Sequence, residues 1–494
     1  MTASTITIDT FLQNIPEHVR DASRYCAAPS WFQKPLALKI IENFVKTDSS
    51  AHDTLYQVLD LPFVYRHDET TWRFTEDARE EMLGSLPPDD YKKVHRLVAT
   101  ELEAQVVTLL HEGHADLPEG NVQTDTDSWQ IRRLRWQLVY HLAPVDSQQA
   151  FKEFEEIAKW AIGNRDRLPM FKLAIEAWQK QAKWLNVYGD EGSYYQGYYA
   201  YRTEDFARSE QFFDLVWRSF SKNIFMKADS GHLLGVIYRR KGQNSWIERA
   251  ERILKASLEL LPKEMDHNDK ETLELMARIL NSLGATLVQR AKSVDKAQAL
   301  RKLEEAENIL RQSLRLQNEI LNDDRGRAHV LNTFATLHLQ YVHLHLGNER
   351  VHLVRADEYI EEALSWSLES GSDRDQTVQL NTKADVLIQM GGKKDLEIAE
   401  ELALRSLDLN KRIHDEKTNA ISSFRLAEVY SKRDDNESLD LSIKWAKRSL
   451  DLWQKLEHPL GQKEAIALVA ITCDRLGDPG RASRWRRLYF KLEG

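Results

Sequence analysis

Cysteine is nearly absent. Cys26 and Cys473 stand at opposite ends of the 494 residues and offer neither a disulfide framework nor zinc spacing. That scarcity fits a reducing cytoplasm, which is the expected compartment. Glycine (20) and proline (12) are sparse while Leu, Ala, Glu, Lys and Arg are plentiful, and this favours helix over sheet. An excess of positive charge is missing too. The formal net charge of −9 argues against a general binder of phosphate backbones. No apolar run reaches the roughly 18 residues of a membrane span. The opening MTASTITIDTFLQN lacks a basic stretch followed by an apolar one, so no signal peptide is expected.

Sequence signatures of catalysis are equally scarce. No GxxxxGK[ST], HExxH, GxSxG or CxxC occurs, and GSYYQGYY and GGKKD cannot place a lysine and a hydroxyl on a nucleotide. His111-Glu-Gly-His114-Ala-Asp116 has a metal-like look, but it reads as solvated residues at a helix end. His338 and His345 lie seven apart on one helical face, near His329 and His343, and read as core or groove histidines. No nucleophile, metal site or cofactor site is expected, and the chain reads as non-enzymatic.

What is present is one module stamped repeatedly. RAERILKASLELLP (249–262), KLEEAENILRQSL (302–314), RADEYIEEALSWSL (355–368), EIAEELALRSLDL (397–409), LSIKWAKRSLDL (441–452) and RASRWRRLYFKL (481–492) share a layout. A small residue (Ala250, Ala306, Ala356, Ala399, Ser442, Ala482) is followed seven later by a second (Ser257, Ser313, Ala363, Ser406, Ser449), with Tyr489 breaking the pattern. Such spacing puts both on one helix face. Each copy follows another helical pattern with a small residue at its crossing: Gly235, Gly284, Ala335, Ala384, Ala427 and Ala470. Small crossing residues let antiparallel helices approach closely. A helical hairpin repeating every 43 to 51 residues is a solenoid.

The pattern GVIYRRKG…RAERILKASLELLP resembles the tetratricopeptide repeat (TPR) family, and the LN-x-x-(G/A) starts look like its kinesin-light-chain-like subclass. The resemblance implies an all-α, right-handed TPR α-solenoid of about 6–8 hairpins over residues 128–494. Weaker copies stand at 136–160 and 194–217, with a poorly fitting helix, LPMFKLAIEAWQKQAKW, between them.

Residues 1–115 have another texture. Helical segments TFLQNIPEHVRDASRYC, KPLALKIIENFV and HDTLYQVLDL precede FVYRHDETTWRF, which reads as two short strands around a polar turn. Helix TEDAREEML follows with Thr75 as its expected N-cap. Three helices and a wing suggest a small winged-helix-like domain. The order is similar to the winged-helix segment that links ATPase and repeat arm in STAND-class signalling ATPases, here without the ATPase. The third helix, AHDTLYQVLDL, contains no Lys or Arg. Phosphate anchoring and guanine readout want those residues, so the domain is expected to dock protein rather than DNA.

In the TPR family the residues three before, one after and five after the crossing residue line the concave face. Three before stand His232, Asn281, Asn332, Asn381 and Phe424; five after stand Arg240, Gln289, Gln340, Gln389 and Lys432. A carboxamide is both donor and acceptor, so a ladder of them can hold the backbone of an extended peptide. The subclass uses Asn in this way; the competing reading is that Asn at this position serves contacts between repeats. Arg239, Arg240 and Arg278 would make one end of the groove basic, suiting an acidic segment, or are ordinary solvated charges. Tyr194, Tyr198 and Tyr201 form one stripe and Tyr195 with Tyr199 another, read mostly as packing.

The expected function is a non-catalytic scaffold that grips a protein segment in the TPR groove and docks through its N-terminal domain, in a prokaryotic signalling or defence complex. The alternative is a peptide-sensing transcriptional regulator that binds DNA through the winged helix.

Overall fold

The structure is a computed structural model, and it describes residues 8–113, 124–162, 165–220, 222–262 and 269–492. It divides into two compact units, 1–212 and 213–494.

The first unit opens with α1 (Ile8–Leu12) and α2 (Glu17–Cys26). The sequence suggested one continuous helical segment here. Pro16 splits it: its extended backbone (ψ 141°) ends one helix and starts the next. Then come β1 (Phe32–Gln33), α3 (Lys34–Phe44), α4 (Ala51–Leu59), β2 (Val64–Arg66), β3 (Thr71–Phe74) and α5 (Glu76–Gly84). The sheet has three strands rather than the two expected. Its order is β1-β3-β2, all antiparallel, with Phe32 opposite Trp72 and Val64 opposite Phe74. The inward positions supply the core, where Phe32 and Phe63 meet Phe74 with ring centroids 5.8 and 6.4 Å away. Helices α2, α3 and α4 pack on one another beside this sheet, and α4 is the helix that the sequence analysis numbered third. Thr75 stands at the N-cap position of α5 without a side-chain hydrogen bond.

Six further helices complete the unit: α6 (Pro88–Gly113), α7 (Thr124–Leu142), α8 (Ser147–Ile162), α9 (Leu168–Lys180), α10 (Ala182–Leu185) and α11 (Gly189–Arg202). Arg79, 2% exposed, ties the sheet domain to them. It donates to the Ala28 carbonyl at 2.9 Å, and its guanidinium lies over the Tyr140 ring of α7. α12 (Phe206–Arg218) spans the division between the units.

The second unit is six consecutive helical hairpins: α13 (Ile224–Lys241) with α14 (Asn244–Leu260), α15 (Lys270–Ala291) with α16 (Lys296–Arg315), α17 (Asp324–His343) with α18 (Glu349–Glu369), α19 (Asp373–Met390) with α20 (Lys393–Ile413), α21 (Glu416–Ser431) with α22 (Asn436–Lys455), and α23 (Pro459–Arg475) with α24 (Pro479–Lys491). This is the TPR-type α-solenoid of the sequence analysis. Helix starts are written locally. Asp269, Asp295, Asp415, Asp435 and Asp478 each accept the backbone N–H three residues on. Each such cap contributes about 1 kcal/mol.

The small residues sit where the two helices of a hairpin cross. A Cβ on Gly235 would stand 2.5 Å from Leu254 Cγ, and one on Gly284 2.6 Å from Leu310 Cδ2. The equivalent positions are Ala335 with Ile360, Ala384 with Ala403 and Ala427 with Ala446 in the next three hairpins, all of them buried. The second small residue locks the pair. Ser313, Ser406 and Ser449 donate to the carbonyls of Ala277, Thr377 and Ala420 at 2.8, 3.2 and 2.8 Å. Each of these buried bonds adds about 1 kcal/mol net. Among the described residues no helix is long and apolar enough to cross a membrane.

Candidate functional site

The inner faces of α17, α19, α21 and α23 enclose a cavity of about 490 Å³. Its wall mixes apolar side chains (Leu339, Val378, Ile421, Phe424) with Thr336, Gln340, Asn381 and Thr382. Five charged groups join them: Lys292, Asp385, Arg425, Glu428 and Glu464, with the His343 imidazole alongside. Helical periodicity brings these residues together. Thr336, Asp385 and Glu428 each directly follow a crossing alanine, and Val378 and Ile421 stand one two-turn step earlier.

A buried ion network forms one side. Arg425 Nη2 stands 2.6 Å from Asp385 Oδ2, and its other amino group pairs with Glu428. Asp385 also faces His343 Nε2 at 3.5 Å and accepts from Gln389 Nε2 at 3.3 Å. Burial alone would raise the Asp385 carboxyl, but Arg425 and then His343 hold it well below the usual range. Burial raises Glu428, and Asp385 adds to the rise while Arg425 opposes it. One guanidinium thus serves two carboxylates.

The far side is closed from an earlier repeat. Lys292, at the end of α15, donates to Glu464 of α23 at 3.2 Å across 172 residues of sequence. Burial pushes the Glu464 carboxyl up, yet Lys292 brings it below its ordinary value. Nearby, the left-handed turn at Gly242 (φ 70°) ends α13 against the His458 ring at the start of α23. A Cβ on Gly242 would stand 2.3 Å from His458 Nε2. His458 Nδ1 accepts the Gly461 N–H at 3.0 Å, which requires a neutral ring. Burial first, then Lys417, lowers that imidazole to about 4.

The sequence-expected residues separate into groups. Gln340 and Asn381 line the cavity; Asn281, Asn332, Gln289, Gln389, Arg239, Arg240 and Arg278 are not among its lining residues. Asn381 is 4% exposed and sits in the helix crossings. Its Nδ2 donates to the Thr377 carbonyl at 2.9 Å and to Ser406 and Ser422 Oγ at 3.0 and 2.9 Å, joining three helices. That geometry is the inter-repeat role the sequence left open. The Oδ1 atoms of Asn281, Asn332 and Asn381 are all buried without a hydrogen-bond partner among the described residues. Gln389 is engaged by Asp385. Gln340 is 3% exposed.

Of the three arginines, Arg278 faces an internal carboxylate, while Arg239 and Arg240 stand near another cation. Arg278 Nη2 stands 3.5 Å from the buried Asp229 carboxylate. Arg239 and Arg240 adjoin Lys417; burial, then Arg240 and Arg239, push its ammonium down to about 7.

His338, 2% exposed, faces His352 with their Nδ1 atoms 3.0 Å apart, and stacks on Tyr359. His345 is exposed and pairs with Glu349 at 2.7 Å, while His329 pairs with Asp375 at 3.0 Å. Among the described residues no three such side chains converge as a metal site. The His111–Asp116 side chains lie outside the described residues. Tyr194, Tyr195 and Tyr198 are buried, and Tyr199 and Tyr201 partly so.

Sequence reasoning singled out His343 only as a core or groove histidine and missed Asp385, Arg425, Glu428, Glu464 and Lys292. The signal for two of them was available. The position after the crossing residue belongs to the inner face, and reading it off would have given Asp385 and Glu428.

No family model matches the chain, and no curated protein of similar sequence was found. Among solved structures it is similar to a STAND protein with a tetratricopeptide repeat sensor from Pyrococcus horikoshii, at 13% identity and a TM-score of 0.48. That match covers 99% of this chain and 66% of the other, so this chain spans just under two thirds of that protein. It is also similar to a Rap protein complexed with competence and sporulation factor (12% identity, TM-score 0.47, covering 74% of this chain and 98% of that one). A third is aspartyl phosphate phosphatase F from Bacillus subtilis (12% identity, TM-score 0.42, covering 80% and 93%). Likenesses at this level carry no argument for function, and the fold assignment rests on the hairpin packing itself.

Proposed function

We propose that this chain is a non-catalytic interaction scaffold whose repeat array holds a segment of a partner protein in the cavity between α17, α19, α21 and α23. What carries this reading is the wall of that cavity. Apolar shelves and the Asn381 Oδ1, buried without a hydrogen-bond partner among the described residues, stand side by side on these helices, the mixture that fixes a ligand's position and register. Residues 128–494 serve as the array and residues 1–115 as a docking module. Tyr56 on α4 is 56% exposed, and the helix carries Asp53 and no cation, which suits a protein contact. DNA binding through α4 gains no support from those residues. A prokaryotic signalling or defence assembly is the setting implied by the N-terminal sequence resemblance alone.

The test is affinity purification from the source cells with mass spectrometry, comparing wild type with Val378→Trp. Val378 is 43% exposed, so an indole there fills the cavity without entering the core. A partner retained by wild type and missing from a folded Val378→Trp protein supports the reading. A partner that comes down equally with both places its contact outside the cavity and sinks it.

A further inference from the structure

The cavity carries its own statement about the partner's chemistry. Its wall holds three carboxylates, Asp385, Glu428 and Glu464, against two permanent cations, Arg425 and Lys292. Lys292 is occupied by Glu464, and Arg425 is divided between Asp385 and Glu428. The remaining basic group is His343, 3.5 Å from Asp385, so whenever that imidazole is neutral one carboxylate lacks a counterion of its own in a setting of reduced dielectric, where an uncompensated charge is expensive. Asn381 adds an independent observation: it lines the cavity, is 4% exposed, and its Oδ1 is buried with no hydrogen-bond partner among the described residues. Its carbonyl oxygen is an acceptor awaiting a donor. Val378, Ile421 and Phe424 offer apolar surface on the same wall, of the kind that covers an alkyl stem below a charged head.

Resting on the reading of this cavity as a partner-binding site, we infer that it takes a lysine or arginine side chain of the partner's segment. The stem lies on Val378, Ile421 and Phe424, and the charge is held by Glu428 and Asp385 with Asn381 Oδ1 accepting a hydrogen bond. An acidic segment, suggested by Arg239, Arg240 and Arg278 in the sequence, is excluded from this cavity by the surplus carboxylate.

Four pools of blocked heptapeptides test this, with Lys, Arg, Leu or Glu fixed at the centre and uncharged residues randomised around it. Retention of each pool on the full-length protein is measured for wild type and for Glu428→Gln. The Lys and Arg pools should be retained about tenfold better than the Glu pool and several-fold better than the Leu pool, and that preference should shrink towards parity in Glu428→Gln. If Leu or Glu pools bind wild type as well as Lys pools do, the cavity binds peptide but the inference of a cationic side chain is wrong. If no pool binds, the reading of the cavity as a peptide site fails and takes this inference with it. Should Glu428→Gln not fold by circular dichroism, the ranking on wild type still decides.

Discussion

Lys292 and Glu464 meet at 3.2 Å although 172 residues separate them. With the Gly242–His458 contact, the pair holds the turns of the first and second hairpins against the sixth hairpin. The ion pair is half exposed and contributes at most about 1 kcal/mol. Gly242 is more demanding, because its φ of 70° and the adjacent ring both exclude a side chain. Gly242→Ala should lower stability by roughly 1–3 kcal/mol and speed amide exchange in α23. Lys292→Glu should raise α23 exchange more mildly, and Lys292→Glu with Glu464→Lys should restore it. Unchanged exchange in Gly242→Ala would mean that the contact does not hold the hairpins together.

Gly284 and Leu310 behave as one unit. Gly284→Ala places a Cβ 2.6 Å from Leu310 Cδ2 and should destabilise by about 1–3 kcal/mol despite alanine's better helix propensity. Adding Leu310→Ala recreates the Ala384–Ala403 pairing found two hairpins later. The double variant should be more stable than the sum of the single effects by at least about 1 kcal/mol, read from urea midpoints. Strict additivity would show that the crossing residues are not matched.

Asn381→Ala removes the two N–H donors shared among Thr377 O, Ser406 Oγ and Ser422 Oγ at a crossing of three helices. A loss of about 1–3 kcal/mol in urea unfolding is expected, since Thr377 and two serines lose a donor in a buried setting. A neutral effect would return Asn381 to the groove as a ligand contact.

Acid should weaken both units. Burial, then Arg79 and Lys183, lowers His95 to about 3; burial and then His352 lowers His338 to about 4. His95 and His141 stand with Nδ1 atoms 3.1 Å apart, and burial, then His95, keeps the second ring well below its ordinary value. These bases are neutral when folded but take up protons when unfolded, so stability is complete above the unfolded value near pH 6.5. It falls as pH drops from there towards the folded values. At pH 5 each such imidazole removes about 2 kcal/mol. Urea midpoints at pH 7.5 and 5 measure it, and equal midpoints would contradict the buried neutral rings.

Lys417 gives the opposite opportunity. Its folded value near 7 lies below that of the unfolded chain, so its charge costs stability at and below neutrality, and the cost disappears only as pH rises towards about 10. Lys417→Met should raise stability at pH 7 by on the order of 1–3 kcal/mol, measured by urea unfolding. A loss of stability would show the ammonium to be usefully paired there.

How far these features are legible in sequence depends on their range. Gly235, Gly284 and the serines at 313, 406 and 449 announce themselves, because a hairpin crossing repeats at fixed spacing on one helix face. The two-residue strand β1 does not, because Phe32–Gln33 has no period and becomes a strand only by pairing with Trp72 and Thr71. Asn381 was visible as a carboxamide in register, but whether it faces ligand or neighbour depends on Ser406 and Ser422 from two other helices. The contact of Lys292 with Glu464 accumulates from the small rotation between successive hairpins. No local window of sequence contains that sum.

The same contact bears on the kinetics of exchange. The bridge between Lys292 and Glu464 is part of the wall of the cavity it helps to close, so a guest entering on that side must thread past it or wait for it to part. On the proposed reading, parting of this bridge is a step that a guest on that side adds both to its association and to its departure, so exchange there is slower than the usual 10⁵–10⁷ M⁻¹s⁻¹ docking of rigid partners implies.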